Sequence, residues 1–393
     1  MKTHTAMDEL KRCLGNIERF DEQVNAFITV LSDTALEEAQ QADEEFAAGG
    51  GKGLLAGVPV SVKDCIDVAG VRCTNGSLFF KDYVPERDAL IVQRLRRAGA
   101  VIVGKTNLHE FAYGSTTQNP HYGPTRNPWD LTRIPSGSSG GAGASLAADM
   151  CMGAVGSDTG GSVRTPAAIN GVTGLRPTMG SIPMTGSFTR ICPAIDTVGP
   201  LGKSVDIVAR MFTVMAGYDD DDLYSVRHSW DDAFRRMSDG MTGLRIGIPR
   251  RFFFEDLEPG IGEAVEEAGI QMGQLGAVIT EIELDAADSA QQDVMPMVWA
   301  DAYEYHRERA ESNPELFGKD VLDRILLGRD ISGRDYAAAL RARERWNRVI
   351  DRALQEVDVI LTPTTPRAAP LIESSTDMLA TTHHLTRFTY LFS

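Results

Sequence analysis

The chain has 393 residues, enough for one large α/β domain or two ordinary ones with a sizeable core. Its 42% hydrophobic and 24% charged residues are the proportions of a soluble globular protein, and a formal charge of −16 repels nucleic acid and anionic membrane surfaces alike. Five scattered cysteines (Cys13, Cys65, Cys73, Cys151, Cys192) include no Cys-x-x-Cys pair and read as reduced thiols. With no apolar signal core after Met1-Lys2-Thr3-His4 and no apolar run near the ~18–20 residues that span a bilayer, a cytoplasmic location is expected.

In chain order, helical spacing runs from Met7 to Phe20, and Ala26 to Val30 reads as a strand. Leu36 to Phe46 is an acidic helix stopped by Gly49-Gly50-Gly51-Lys52-Gly53, a surface connection. Leu90 to Ala98 is helical, with His109 in a further apparent helix, and Ala100 to Val103 is a short, wholly apolar strand. That alternation predicts α/β units around a buried sheet. Ser145 to Met150 continues as a helix. Beyond Lys203 the pattern predicts helices over Val205–Ala216, Ile261–Leu275 and Arg334–Val357, an acidic surface turn at Asp219–Asp222, and a strand from Leu244 to Pro249. The chain stops at Ser393 in what reads as the middle of an element.

Two glycine-rich turns carry serines 24 positions apart: Ser138 in Pro-Ser-Gly-Ser-Ser-Gly-Gly and Ser162 in Gly-Ser-Asp-Thr-Gly-Gly-Ser-Val-Arg. Glycines let the backbone turn sharply and bring N–H groups close to a reacting carbonyl, as a nucleophile requires. A serine hydroxyl also needs a base. None of the seven histidines falls in a motif, whereas Lys63 follows the apolar run Val58-Pro59-Val60-Ser61-Val62, where burial would lower its pKa. One glycine-serine run alone is commonly a capping loop, and a lone lysine at a strand end is commonly surface.

These pieces resemble the amidase signature hydrolases. The resemblance spans roughly Leu54 to Lys203, through Gly57–Asp64, Gly104-Lys105-Thr106-Asn107, Asn127-Pro128-Trp129, both serine runs, Pro166-Ala167-Ala168, Gly174–Thr178 and Asp196–Pro200, with a weaker echo at Asp358–Thr364. It implies an α/β fold with a large mixed central sheet and helices on both faces, the C-terminal part of that sheet missing here. It further implies a single domain over 1–393, with core 54–203, a variable substrate-side region 204–330, and a helix with partial return over 331–393. By the same resemblance Ser162 attacks an amide carbonyl, Ser138 relays its proton to neutral Lys63, and the Gly137–Ser138 peptide is cis. The backbone N–H groups of Thr159, Gly160, Gly161 and Ser162 would hold the oxyanion, with Ser139, Asp158 and Arg164 in support.

The implied reaction is metal-free and cofactor-free hydrolysis of a small-molecule amide, with a homodimer as one possible assembly. Phe111–Gly114, within it Tyr113 and Gly114, Ile182–Phe188 and Val298-Trp299 are candidate substrate walls. The glutamine-hydrolysing component of tRNA-dependent amidotransferases also resembles this core. Arg324 would suit glutamine's carboxylate, but His384–Thr389 offers no acid for its amine. A third reading is an inactive relative that only binds. Gly99–Thr106 matches the phosphate-loop pattern, but its four central residues are strand-like and unable to wrap phosphates. Gly137–Gly141 matches the G-x-S-x-G elbow, which would nominate Ser139, but Pro128–Pro135 is a poor strand to precede it.

Overall fold

The computed structural model describes residues 5–49, 53–187, 191–230 and 236–393. Its strands are β1 (Phe27–Val30), β2 (Pro59–Lys63), β3 (Val101–Thr106), β4 (Gln118–Asn119), β5 (Gly123–Pro124), β6 (Gly153–Asp158), β7 (Thr173–Gly174), β8 (Thr197–Gly202), β9 (Arg245–Pro249), β10 (Val278–Ile282) and β11 (Val359–Ile360). The main sheet has the order β1-β3-β2-β6-β8-β7. Its centre, β3, β2 and β6, is parallel, β1 and β8 join it antiparallel, and β7 pairs antiparallel with β8, so the sheet is mixed. One of its strands, β1, precedes residue 54.

Alternation along the buried strands sorts side chains onto two faces. Val60 and Val62, Ile102, Val155 and Val198 join one core with the helices α3 (Leu90–Arg97) and α6 (Val205–Met215). Their neighbours Val101, Val103, Ala154 and Leu201 join the other, against α1 (Ala6–Val24), α2 (Ser32–Ala47), α4 (Gly140–Ala147) and α5 (Arg164–Asn170). Every residue of β2, β3, β6 and β8 is buried, as a sheet covered on both faces requires. Helices on both faces of a mixed sheet are therefore observed.

Several expectations shift. Helix α4 begins at Gly140, directly after Ser139, and ends at Ala147, so it does not reach Met150. His109 is extended, ahead of a short turn of 3₁₀ helix at Glu110–Ala112, because its ring is drawn to Asp320 (Nε2 to Oδ2, 2.8 Å). The strand at Arg245–Pro249 does not enlarge the main sheet. It builds a separate parallel sheet, β10-β9-β11. The remaining helices are α7 (Ile261–Gln274), α8 (Ala287–Ser312), α9 (Lys319–Leu326), α10 (Gly333–Glu356) and α11 (Met378–Leu385); α7 packs on β10, whereas α8 and α9 reach into the main core. The longest of these, α8, has no counterpart in the sequence reading, since its apolar residues follow no single stripe and it contains Pro296, a residue that reads as a helix breaker. The final residues form a 3₁₀ turn, Thr389–Phe392, packed through Leu391 and Phe388 on the same cluster as Trp346. Among the described residues no helix is long and apolar enough to cross a membrane. Phe188 and Gly50-Gly51-Lys52 lie outside the described residues.

Helix α4 approaches the backbone closely because its first residues lack side chains. A Cβ on Gly141 would lie 2.5 Å from the carbonyl oxygens of Ala26 and Asn107 and 2.7 Å from the Asn107 nitrogen. Gly141→Ala gains ~1 kcal/mol of helix propensity but incurs ~1–3 kcal/mol or more of overpacking against rigid backbone. The expected result is net destabilisation, read as a lower denaturant midpoint.

Candidate active site

The parallel strands deliver their carboxyl ends to one place, where α/β sheets bind ligands. Lys63 is the last residue of β2, Asp158 ends β6, and the turn 159–163 follows it into α5. The first serine loop enters α4 alongside. Thr165 stitches the two loops together: its Oγ1 donates within reach of both the Gly137 and Gly161 carbonyls (3.1 and 3.0 Å), and the Ser139 N–H donates to the Ser162 carbonyl (3.3 Å). The Gly137–Ser138 peptide is cis.

Lys63 is 0% exposed. Its Nζ donates to Ser138 Oγ (2.7 Å), Ser139 Oγ (2.9 Å) and Ser157 Oγ (2.9 Å), and among the described residues no carboxylate pairs with it. Burial pulls its pKa down to about 8, and Cys65, Asp158 and Asp196 oppose this only in part. Lys105 on the adjacent strand is an internal control. It is equally buried, but an Asp64 oxygen lies 2.8 Å from its Nζ, and that carboxylate outweighs desolvation and raises its pKa. This ion pair in a strand also disposes of the phosphate-loop pattern around Lys105.

Asp158 organises the second loop. Its carboxylate accepts from the N–H groups of Gly161 (2.9 Å) and Val163 (3.0 Å), from Arg164 Nε and Nη2 (3.0 and 2.8 Å), and from Arg176 Nη1 (3.2 Å). Desolvation pushes its pKa up, but the two arginines prevail and hold it well below the usual carboxylate range. The Gly161 N–H is thus already engaged. Among the described residues no hydrogen bond takes the N–H of Thr159, Gly160 or Ser162, leaving these three able to receive an oxyanion. Ser162 is 8% exposed and opens on a cavity that Ser138, fully buried, does not line. Among the described residues no hydrogen bond joins the two hydroxyls.

Thr159, Gly160, Tyr113 and Gly114 line that cavity, together with Ser115, Ile191, Met295, Arg324 and Tyr390. Phe111 does not: it packs against His306 in a tilted pair, ring centroids 4.4 Å apart. Nor do Ile182 and Val298, which belong to the core. Arg324 is 3% exposed, and its Nη1 donates to the Tyr113 carbonyl, while Nε and Nη2 have no partner among the described residues. Sequence reasoning overlooked Ser157, Arg176, Asp196 and Tyr390. Asp196 accepts from Thr159 Oγ1 (2.6 Å), 37 positions away, and from the N–H groups of Ile191 and Cys192, pairings with no periodic trace.

The profile of the Amidase family matches residues 8–392. The chain is 38% identical over 392 residues to the A subunit of the glutamyl-tRNA(Gln) amidotransferase of Carboxydothermus hydrogenoformans, covering 94% of this chain and 81% of that protein. It is 40% identical over 387 residues to the corresponding protein of Syntrophus aciditrophicus, covering 92% and 79%. Among solved structures, a complex described as vestigial and as revealing the origins of an s-triazine catabolic enzyme superposes with a TM-score of 0.92 at 32% identity, covering 98% of this chain and 85% of that one. The A subunit of the Thermotoga maritima glutamyl-tRNA(Gln) amidotransferase gives 0.81 at 32%, covering 98% and 82%. The chain belongs to the amidase signature family, and its activity is hydrolysis of amide C–N bonds.

Asp158→Asn would leave two half-buried guanidinium groups facing an amide beside a buried site, at a cost of up to ~3–5 kcal/mol near neutral pH. A depressed folded pKa contributes stability above the unfolded value near ~3.9 and loses it as pH falls through the folded value. The difference between wild type and Asp158→Asn in urea melts should therefore be full at pH 7 and shrink progressively below pH ~4.

Proposed function

We propose that Ser162 is the nucleophile, Ser138 the proton relay and neutral Lys63 the general base of this amidase. The observation that carries the reading is a fully buried amine held by three hydroxyls and no carboxylate. A neutral amine has two N–H donors and one lone pair. Ser139 and Ser157 can take the two donors, which leaves the lone pair for the Ser138 O–H, the shortest of the three contacts. Ser138 would then accept the Ser162 proton as Ser162 Oγ attacks the amide carbon. The N–H groups of Thr159, Gly160 and Ser162 would hold the resulting oxyanion. Collapse of the tetrahedral intermediate expels the amine, which takes the proton back through Ser138, and water then hydrolyses the acyl-enzyme by the same relay. The alternative nucleophile, Ser139, is disfavoured because it is fully buried and its hydroxyl donates to the Ser157 carbonyl (3.2 Å).

The substrate is an amide that carries a carboxylate. A buried guanidinium with two unpaired donors is costly unless an anion completes it, and Arg324 shares its cavity with Ser162. Among the described residues no acidic side chain lines that cavity. A free α-ammonium would enter without a counter-charge, so a dicarboxylic acid monoamide fits better than glutamine. The second reading, a glutamine-hydrolysing component that works within a complex, is favoured by the names of the relatives and by the same arginine.

Ser162→Ala should abolish turnover and labelling by a fluorophosphonate, while Ser139→Ala retains measurable turnover. Lys63→Arg should be as inactive as Lys63→Ala, a loss of ~10²–10⁴ in kcat, because guanidinium cannot accept the proton. Wild-type kcat/KM should rise with pH until the amine is deprotonated near pH 8 and then level off. A folded Lys63→Arg enzyme with near-normal turnover would remove the base assignment.

Glutaric acid monoamide, which is glutamine without its amino group, should exceed glutamine in kcat/KM. Arg324→Met should raise KM for the monoamide by roughly 10- to 100-fold and leave an uncharged amide almost unaffected. Glutamine exceeding the monoamide would favour the second reading.

A further inference from the structure

The turn that carries Ser162 contains two adjacent glycines. Gly161 sits at φ +143°, a conformation that glycine adopts with ease. A peptide between two glycines has little side-chain resistance to flipping. Were the Gly160–Gly161 peptide to flip, its carbonyl oxygen would point where its N–H now points, at the Asp158 carboxylate, and the turn that carries the Gly160 and Ser162 N–H groups would have to rearrange around that repulsion. Something must pin it.

Two contacts hold its two poles. The Gly161 N–H donates to Asp158 Oδ1 (2.9 Å), and the Gly160 carbonyl accepts from Thr389 Oγ1 (2.7 Å). Thr389 lies 229 positions from Gly160 and is itself anchored, since Arg164 Nη1 donates to its carbonyl (2.6 Å). Arg164 also binds Asp158 through Nε and Nη2. The contacts close into a circuit: Asp158, Gly161, Gly160, Thr389, Arg164 and Asp158 again. The threonine side chain fills the space that a Cβ on Gly161 would need, with its own Cβ 3.0 Å from that position. The neighbouring Tyr390 ring packs where a Cβ on Gly160 would fall. The hydroxyl has a weaker alternative acceptor, the Thr386 carbonyl at 3.4 Å, so the 2.7 Å contact is the dominant one.

From this geometry we infer that Thr389 is a positioning residue for the reaction: its hydroxyl fixes the Gly160–Gly161 peptide so that the N–H groups of the Ser162 turn converge on the oxyanion. The inference rests on Ser162 being the nucleophile. Thr389 touches no reacting atom and moves no proton. Its effect falls on the transition state, where the oxyanion exists, and not on binding of the uncharged amide carbonyl.

The test compares Thr389→Val, which keeps shape and loses the donor, with Thr389→Ser, which keeps the donor. Thr389→Val should lower kcat by about 10- to 100-fold, less than or comparable to the loss of one direct oxyanion donor, with KM within about threefold of wild type. Thr389→Ser should retain at least about a third of kcat. A boronic acid that forms a tetrahedral adduct on Ser162 should bind Thr389→Val more weakly in proportion to the loss in kcat/KM, while a product carboxylate binds as before. The pH at which activity levels off should not move, because Lys63 is untouched. If Thr389→Val does not fold, Thr389→Cys, similar in size and a weak donor, carries the comparison and should fall well below Thr389→Ser. Equal losses in Ser and Val (or Cys), a change confined to KM, or unchanged kcat in Val would overturn the inference. Absence of fluorophosphonate labelling at Ser162 in wild type would instead overturn the nucleophile assignment, so the two failures are distinguishable.

Discussion

The constraint on which the site depends is the burial of a primary amine without a carboxylate. An ammonium buried alone is expensive, so the group titrates toward neutrality, and here three hydroxyls replace water around it. Lys105 shows what an acid within ion-pair distance would do: on the next strand, equally buried, it is held as a cation by Asp64. The two lysines share depth and sheet, and differ in that three hydroxyls surround one while Asp64, with Cys73 nearby, faces the other. One residue type thereby yields an amine with a lowered pKa and a cation with a raised one.

Keeping carboxylates off Lys63 is also what gives Asp158 its form. It is buried within reach of the same centre, yet its charge is engaged by Arg164, Arg176 and two backbone N–H groups. That web holds the Ser162 turn in shape while weakening the field at the amine. Asp196 acts similarly, tying Thr159 to the N–H groups of Cys192 and of Ile191, which lines the cavity. Carboxylates and arginines thus hold the frame of the turn, while hydroxyls alone surround the buried amine. The exception is Arg324, which lines the cavity and keeps two buried donors without a partner among the described residues.

The sequence by itself determined the local pieces. Glycine-rich turns and apolar strands are written in contiguous residues, so Ser138, Ser162 and Lys63 stood out, as did α1, α2, α3, α6, α7 and α10 within a few positions. The fold class was legible because β2 and β3 are apolar runs buried on both faces, and the family resemblance supplied the mixed sheet. Helix α8 was not legible, because its apolar residues follow no single stripe and periodicity carries no signal there. Tertiary structure alone decided which groups meet across long separations. Ser157 reaches Lys63 only because β6 lies beside β2, and Asp158 captures the Gly161 N–H that the motif would have assigned to the oxyanion. Arg324 meets Tyr113 across 211 positions of chain, and Thr389 meets Gly160 across 229. Such contacts depend on packing between distant elements, whose energies are set by shape and burial rather than by any local pattern of residues.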